Sequence, residues 1–481
     1  MDEDLEDTIC GIATPAGEGG IGIVRISGPR ALAIAEKLVR LRSHQSLEII
    51  PSHNLHVADI VSPGGASERT GSVHGEPPSS DQVIDEGLVV YMKGPRSYTA
   101  EDVVEIHCHG SAVVLGRVCA ACVSAGARLA QPGEFTKRAF LNGRLDLSQA
   151  EAVLDTIKAK SEAGLKMAQR QLRGELGQLV ELLRTRLLGT LVQIEAGIDF
   201  VEEDIAFIGR EEVITSLQKT LERIQEMLAT AETGRVLREG ARVVIVGRPN
   251  VGKSSLLNRL LREDRAIVTN IPGTTRDVIE ESVIWDGLAI TLVDTAGLRE
   301  TGDPVEQEGI KRTRSAQENA DMVLHVLDAA GLHESDLKEF GSPSDRQRDM
   351  VVVNKSDLVD PESLKHLADR VEEQVDCRVH TISVLTGAGL GNLKESIRSR
   401  LSHSSLESSD GVVVTNVRHR LALERAALSV AEALDSARRG MEAECVSVDL
   451  RGACDALGEI TGAITSDEIL DRIFSEFCIG K

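Results

Sequence analysis

The stretch GRPNVGKS (247–254) lies between an apolar run, VVIVG, and a helix-like run beginning SSLLNRLL. That arrangement suits a row of phosphates. Glycines let backbone N–H groups and a helix N-terminus wrap the oxygens, Lys253 neutralises them, and the Ser254 hydroxyl binds Mg2+. Asn250, Val251, Gly252 and Ser255 complete the loop's predicted contacts. DTAG (294–297) ends a second apolar run, so Asp294 can hold the magnesium shell and Gly297 can sense the terminal phosphate, with Thr295 and Ala296 between them. NKSD (354–357) follows a third run, MVVV. A carboxylate at Asp357, flanked by Asn354 and Lys355, accepts from the two donors on guanine's Watson–Crick edge, where adenine offers an unprotonated nitrogen. These residues predict GTP as the substrate.

In order and spacing the three motifs resemble the translation-factor-like GTPases, with two departures. Leu298 follows DTAG where Ras-like enzymes carry a glutamine that orients water, so another group must position the nucleophile. Ser383 opens a Ser-Val-Leu triplet where a base-contacting Ser-Ala-Lys is common.

The elements around these motifs change character along the chain. Up to residue 143, short apolar runs alternate with Gly and Pro; IGIVRIS (21–27), EGLVVYM (86–92) and VVEIHCH (103–109) read as strands, and Val113 to Ala125 as helix. The composition of 62–81 is that of a disordered loop between strands. From 144 to 237 the pattern is helical; Leu172, Leu176, Leu179, Leu183, Leu187, Leu191 and Ile194 form one apolar stripe, read as one long helix. Strands are predicted near 242–246, 289–293, 322–327 and 350–353, followed by a Ser-rich linker and renewed helical periodicity. The expected fold is multidomain α+β: an N-terminal α/β domain (1–143), a helical domain (144–237 and 404–481), and a P-loop α/β domain (238–403) inserted into it.

The whole chain has 481 residues, enough for two or three domains. Only 2% of residues are aromatic, so the cores must rest on Leu, Ile, Val and Ala. With 54 basic against 76 acidic residues the net charge is -22, which argues against a broad basic face for nucleic acid. Eight cysteines show no disulfide-framework spacing, as expected in a reducing cytosol. The N-terminus MDEDLEDT is acidic and lacks an apolar core, unlike a secretory or transit peptide, and no stretch reaches the apolar length of a membrane span. A cytoplasmic location without membrane association is expected.

Three further regions carry a more specific likeness. ATPAGEGGIGIVRISGP (13–29), PRSYTAEDVVEIHCHG (95–110) and PGEFTKRAFLNGRLDLSQAEA (132–152) resemble the folate-binding domain of the MnmE (TrmE) family. IPGTTRD (271–277), DTAGLRE (294–300) and Val305-Glu306 resemble its GTPase domain, and the tail ALGEITGAITSDEILDRIFSEFCIGK (456–481) its C-terminus. The resemblance implies a homodimer that binds a 5-formyl or methylene tetrahydrofolate as one-carbon donor. With an FAD-dependent partner, in a heterotetramer, such proteins install an aminomethyl or carboxymethylaminomethyl group on C5 of the wobble uridine of certain tRNAs. Carried over by position, Arg25, Glu105, Arg144 and Lys481 match folate contacts, Arg144 standing where the family carries lysine. Glu306 matches the glutamate that orients the hydrolytic water, and Cys478 the tail's functional thiol. Asn250, Thr269, Ile271 and Thr274 match ligands of K+, and Ser254 and Thr275 those of Mg2+, while Asn270, Pro272 and Gly273 belong to the same GTP-binding loop.

Several patterns have plainer explanations. Gly17-x-Gly19-x-x-Gly22 fits a dinucleotide fingerprint but opens into a strand-like run rather than a helix, so a tight turn near the pterin is preferred. Cys119 and Cys122 have redox spacing inside an apolar helical run, which favours a core role. Strand alternation sends His107 and His109 to one face and Cys108 to the other, against a metal site. Cys478 sits four from the end, but Gly480 and Lys481 suit prenylation poorly; from the residues alone a buried helix-end cysteine and a functional one stand level. Glu306 lies among acidic neighbours that would ordinarily form a solvated face. As a whole-chain alternative, a GTP-switch ribosome-assembly factor should carry a basic RNA-binding domain, and the flanks here are acidic. A helical scaffold that uses GTP only to dimerise leaves residues 1–143 without a purpose.

Overall fold

The computed structural model describes residues 6–63, 83–199, 209–263, 280–285, 287–294, 315–333, 336, 348–401 and 412–481. The chain divides into two compact units: Met1–Leu154 with Leu172–Glu181 and Leu457–Lys481, and Asp155–Gln171 with Leu182–Ala456. Among the described residues no helix is long and apolar enough to cross a membrane.

In the first unit, seven strands form one sheet: β1 (Ile9–Ile12), β2 (Gly19–Ser27), β3 (Val39–Leu41), β4 (Leu55–Val61), β5 (Val83–Met92), β6 (Val103–Gly110) and β7 (Arg128–Leu129), in the order β3-β4-β5-β6-β2-β1-β7. All pairings are antiparallel except β1 with β7. The α/β label for this domain is therefore corrected to α+β, because β5 turns straight back into β6 with no crossover helix between them. Helices Ala31–Leu38 and Ala112–Ala125 cover one face. Val24, Ile26, Val104, Ile106 and Cys108 meet Ile34, Leu38, Leu115 and Val118 there. The period of two then turns Arg25, Glu105 and His107 to the opposite face, and the register sets Arg25 directly across from Glu105. On that face Phe135, from helix Glu134–Leu141, packs with Ile9, Ala130 and Tyr98. A separate core joins Leu147, Val153 and Leu154 to Leu470, Phe474 and Phe477, so the end of the chain is built into the unit that contains its start.

The stripe that begins at Leu172 does not form one helix. Helix Glu162–Leu172 ends there, the backbone passes through Gly174 at φ +84, and a second helix runs Glu175–Asp199. Periodicity survives the break because a single turn preserves the spacing of the apolar residues. Most of residues 62–81 fall outside those described.

In the second unit, β8 (Ala241–Val246), β9 (Glu280–Trp285), β10 (Leu288–Asp294), β11 (Met322–Asp328), β12 (Asp349–Asn354) and β13 (Val379–Thr381) form a sheet in the order β13-β12-β11-β8-β10-β9. It is parallel apart from β9. Ile245, Leu292, Leu324 and Val352 face Leu256, Leu260, Leu393 and Ile397, while Val351 and Val353 face Val371 and Val375 on the other side. Burial on both faces explains why these strands read as unbroken apolar runs. β8 lies between β10 and β11, so the order reverses at its carboxyl end and opens a crevice there.

Helix Arg210–Ala229 precedes this sheet in sequence and packs along helix Val417–Arg439, which follows it. Val213, Leu217, Thr220, Ile224 and Met227 are its buried stripe; Ala422, Ala426 and Ala433 on the partner helix permit a close approach. Asn416 caps the latter by accepting from Arg418 N at 2.9 Å.

Candidate functional site

The carboxyl ends of β8, β10 and β12 deliver the three nucleotide motifs to one crevice. The loop 247–252 leaves β8 and enters helix Lys253–Glu263. Gly252 has φ +104 and a Cβ there would collide with the Asn354 amide, so only glycine serves. Asn354 then ties two loops together: its Nδ2 donates to Val251 O at 2.9 Å, and its Oδ1 accepts from Val384 N at 3.1 Å. Lys253 is buried, and its Nζ donates to the carbonyls of Gly247 and Arg248, both at 2.8 Å.

Ser254 Oγ donates to Asp294 Oδ2 at 2.6 Å. A hydroxyl beside a buried carboxylate at a helix N-terminus offers oxygen donors of the type Mg2+ takes, so these residues fit that ion. At the other end of the crevice Ser383 Oγ donates to Asp357 Oδ1 at 2.5 Å, and Thr386 N donates to Ser383 Oγ at 3.2 Å. Lys355 Nζ pairs with Asp328 Oδ2 at 2.6 Å. A cavity of about 620 Å³ is lined by Asn250, Gly252, Ser255, Asn354, Lys355, Asp357 and Leu385 among others, large enough for a nucleotide. Of the other expected residues, Thr269, Asn270, Ile271, Pro272, Gly273, Thr274, Thr275, Thr295, Ala296, Gly297 and Glu306 lie outside the described residues.

The first unit brings a second set together. Arg25 Nε donates to Glu105 Oε1 at 2.9 Å, and His107 Nε2 lies 3.2 Å from Glu105 Oε2. Burial works to raise the Glu105 carboxyl; the His107 hydrogen bond and the Arg25 charge outweigh it and hold the group below the usual carboxylate range. Arg144 Nη1 donates to Tyr98 O at 2.8 Å. Arg25 Cζ, Arg144 Cζ and Lys481 Nζ stand 5.1, 5.0 and 5.9 Å from the centroid of the Tyr98 ring. Burial lowers the affinity of Lys481 for its proton, and the Arg25 charge adds to that. All four residues expected at a folate site thus come together around Arg25 and the Tyr98 ring, three cations with one carboxylate.

The tail reaches this cluster through Gly480. At φ +100 it packs so closely on Ile12 O that a Cβ would overlap it, and its own carbonyl accepts from Arg25 Nη1 at 3.4 Å. Cys478 is exposed rather than a buried helix-end residue. Tyr98 and His107 were missed as site residues; the i, i+2 spacing of Glu105 and His107 on one strand was a usable signal, whereas nothing local marks Tyr98. Cys119 and Cys122 are buried in the core with Cys10, whose thiol is pushed up to about 12; hydrogen bonding with Cys119 opposes that rise, while Cys122 and burial drive it. Cys108 points into that core, away from His107, and among the described residues no group of three or more His, Cys, Asp or Glu side chains could hold a metal ion.

A parallel sheet with a phosphate loop at its reversal point, a serine–aspartate pair beside the loop and an aspartate at the end of the crevice define a P-loop GTPase. Family models and relatives matched by sequence agree. The GTP-binding protein TrmE N-terminus matches residues 8–144, and the MnmE helical domain matches residues 147–478. The tRNA modification GTPase MnmE of Heliobacterium modesticaldum is 46% identical, covering 99% of both chains. That of Moorella thermoacetica is 45% identical over 99% of this chain and 100% of its own. Among solved structures, the G domain of the T. maritima FeoB iron transporter aligns over 33% of this chain and 98% of its own, with 27% identity and a TM-score of 0.26. The chain belongs to the MnmE family of tRNA modification GTPases and is a GTP-hydrolysing enzyme.

Proposed function

We propose that the chain couples GTP hydrolysis to modification of the wobble uridine of certain tRNAs, adding an aminomethyl or carboxymethylaminomethyl group at C5 with an FAD-dependent partner. The supporting observation is that a GTP site and a cationic pocket completed by the C-terminal tail occur in one chain, matched over 99% of its length by relatives named tRNA modification GTPase MnmE. The reading places the protein in the cytoplasm as a homodimer that joins its partner in a heterotetramer. The P-loop domain would be an insertion in the helical domain, as the pairing of helices Arg210–Ala229 and Val417–Arg439 supports.

Asp357 reads guanine while Ser383 and Asn354 hold its loop against the phosphate loop. Ser254 and Asp294 would hold Mg2+, which supplies charge for the phosphate oxygens when bound. Lys253 leaves its carbonyl partners for the phosphates, and Glu306 orients the attacking water in place of the missing glutamine. Asn250, Thr269, Ile271 and Thr274 are assigned to K+, and Thr275 to Mg2+. In the first unit Arg25, Glu105, Arg144 and Lys481 would hold a 5-formyl or methylene tetrahydrofolate, the one-carbon donor, with Cys478 on the adjoining tail acting in the modification. The test is nucleoside analysis of tRNA from cells lacking this chain. Loss of the C5-modified uridine, restored by the wild-type gene, is expected; an unchanged nucleoside profile overturns the reading.

A further inference from the structure

Three cations set this close repel one another, and among the described residues the Glu105 carboxylate beside them already pairs with Arg25 and His107. Arg144 and Lys481 lie over the same ring as Arg25, that of Tyr98. Tyr98 comes from the segment between β5 and β6; Arg25 comes from β2, Arg144 from the turn after helix Glu134–Leu141, and Lys481 from the end of the chain. Each cation lies within 6 Å of the ring centroid, the range in which the negative face of an aromatic quadrupole attracts charge. The ring is itself fixed: its hydroxyl bonds Thr136 Oγ1 at 2.9 Å, and its backbone carbonyl accepts from Arg144. Arg25 touches a second ring, Phe135, at 5.5 Å, whereas Arg144 and Lys481 are described over Tyr98 alone.

We propose that Tyr98 is a positioning residue that gathers Arg25, Arg144 and Lys481 into one cradle, and that without its ring the C-terminal lysine leaves the pocket. The inference rests on the folate reading of this site for its ligand, but not for the docking of the tail. Its working part is the π face; the hydroxyl only fixes the ring's angle. Lys481 is the most dependent of the three, because it stands on no helix or strand, beyond helix Asp467–Ser475, and its backbone N–H donates to Cys478 O at 3.3 Å, within the tail itself.

Two measurements on the full-length chain test this with Tyr98→Leu, which keeps an apolar side chain of useful size, and Tyr98→Phe, which keeps the ring. The first is titration of 5-formyltetrahydrofolate by calorimetry. Tyr98→Leu should bind about tenfold more weakly than wild type, the scale of one or two lost cation–π contacts, and Tyr98→Phe within about twofold of wild type. The second needs no folate: brief acetylation with acetic anhydride, followed by peptide mass analysis of Lys481. Its acetylated fraction should rise severalfold in Tyr98→Leu and stay at the wild-type level in Tyr98→Phe. Equal Lys481 reactivity in all three proteins overturns the inference, as does a phenylalanine variant as impaired as the leucine one. If the wild type binds no folate the ligand reading fails by itself, and the acetylation result still decides the role of Tyr98. Unchanged circular dichroism and melting temperature in Tyr98→Leu establish that any loss is local; if that variant does not fold, Tyr98→Phe and Tyr98→Met decide by the same two readouts.

Discussion

Ser383 Oγ donates to Asp357 Oδ1 at 2.5 Å, although the two residues sit on separate loops and Ser383 is buried. The serine is held in turn by Thr386 N, so the Asp357 carboxylate, proposed to read guanine, is aimed by a neighbouring loop rather than by its own. Val384 and Leu385, which replace the commoner Ala-Lys, leave this bond untouched because it uses only the first residue of the triplet.

Replacing Ser383 by Ala should therefore loosen guanine selection without abolishing nucleotide binding. A hydrogen bond to a charged acceptor contributes about 1.5–3 kcal/mol, and part of that is recovered when water takes its place. GTP affinity should fall by about tenfold. ITP, which lacks the 2-amino donor, should lose less, so the GTP/ITP affinity ratio narrows. Competition binding with both nucleotides measures it; a ratio equal to that of wild type removes Ser383 from base recognition.

The Arg25–Glu105–His107 chain makes a pH-dependent contribution whose sign follows from the lowered Glu105 carboxyl. A carboxyl with a folded pKa below its unfolded one stabilises the fold above the unfolded value, about 4.3, and loses that contribution as pH falls through the folded value. Thermal melts of wild type and Glu105→Gln should differ by a few degrees at neutral pH. The difference should hold down to the ordinary carboxylate range and close below it. A gap that widens on acidification contradicts the assignment.

Much of this was legible in the sequence because it depends on local rules. Alternation along VVEIHCH sets His107 on the face opposite Cys108, the resemblance singles out Arg25 and Glu105, and the motif order places Ser254, Asp294 and Asp357 at strand ends. What was not legible depends on long-range packing. β1 and β4 are short or mixed in polarity and take their strand form from their neighbours. The turn at Gly174 hides within a stripe whose spacing it preserves. Gly480 meets Arg25 across 455 residues, and neither the positive φ it adopts nor the backbone it packs on can be read from ten residues of tail. Tyr98, one of only two tyrosines, has no periodic neighbours to mark it.

Cys478 is exposed, on a tail whose flanking backbone is pinned: Gly133 N donates to its carbonyl at 3.4 Å. Substitution by Ser keeps those backbone bonds and changes only the side-chain atom. Cys478→Ser should hydrolyse GTP at the wild-type rate and fail to restore uridine modification in a complemented strain. Modification at the wild-type level would make the thiol dispensable.

Hydrolysis is also expected to depend on potassium. Leu298 stands in the place of a water-orienting glutamine, and the sequence offers no obvious arginine finger in cis, a group that accelerates related enzymes by about 10³–10⁵. A monovalent cation beside the β- and γ-phosphates supplies part of that charge. Asn250 is the one assigned ligand among the described residues; it lines the nucleotide cavity from a left-handed backbone position, φ +65, which asparagine tolerates better than most side chains. The loop from Thr269 to Thr274 would add further oxygens. The strained backbone complicates the obvious variant, since Asn250→Ala removes an oxygen and disturbs the loop together. The decisive comparison is therefore made with the wild type, by measuring the GTPase rate at matched ionic strength in potassium, sodium and a large organic cation. The rate should be highest in potassium, by about tenfold, because the smaller sodium ion would fit a potassium cage poorly and a large organic cation would not enter it. Asn250→Ala should lose the potassium response while GDP affinity falls much less. Equal rates in the three salts would mean that the γ-phosphate draws its compensating charge from elsewhere, and that Asn250 serves only to brace the phosphate loop.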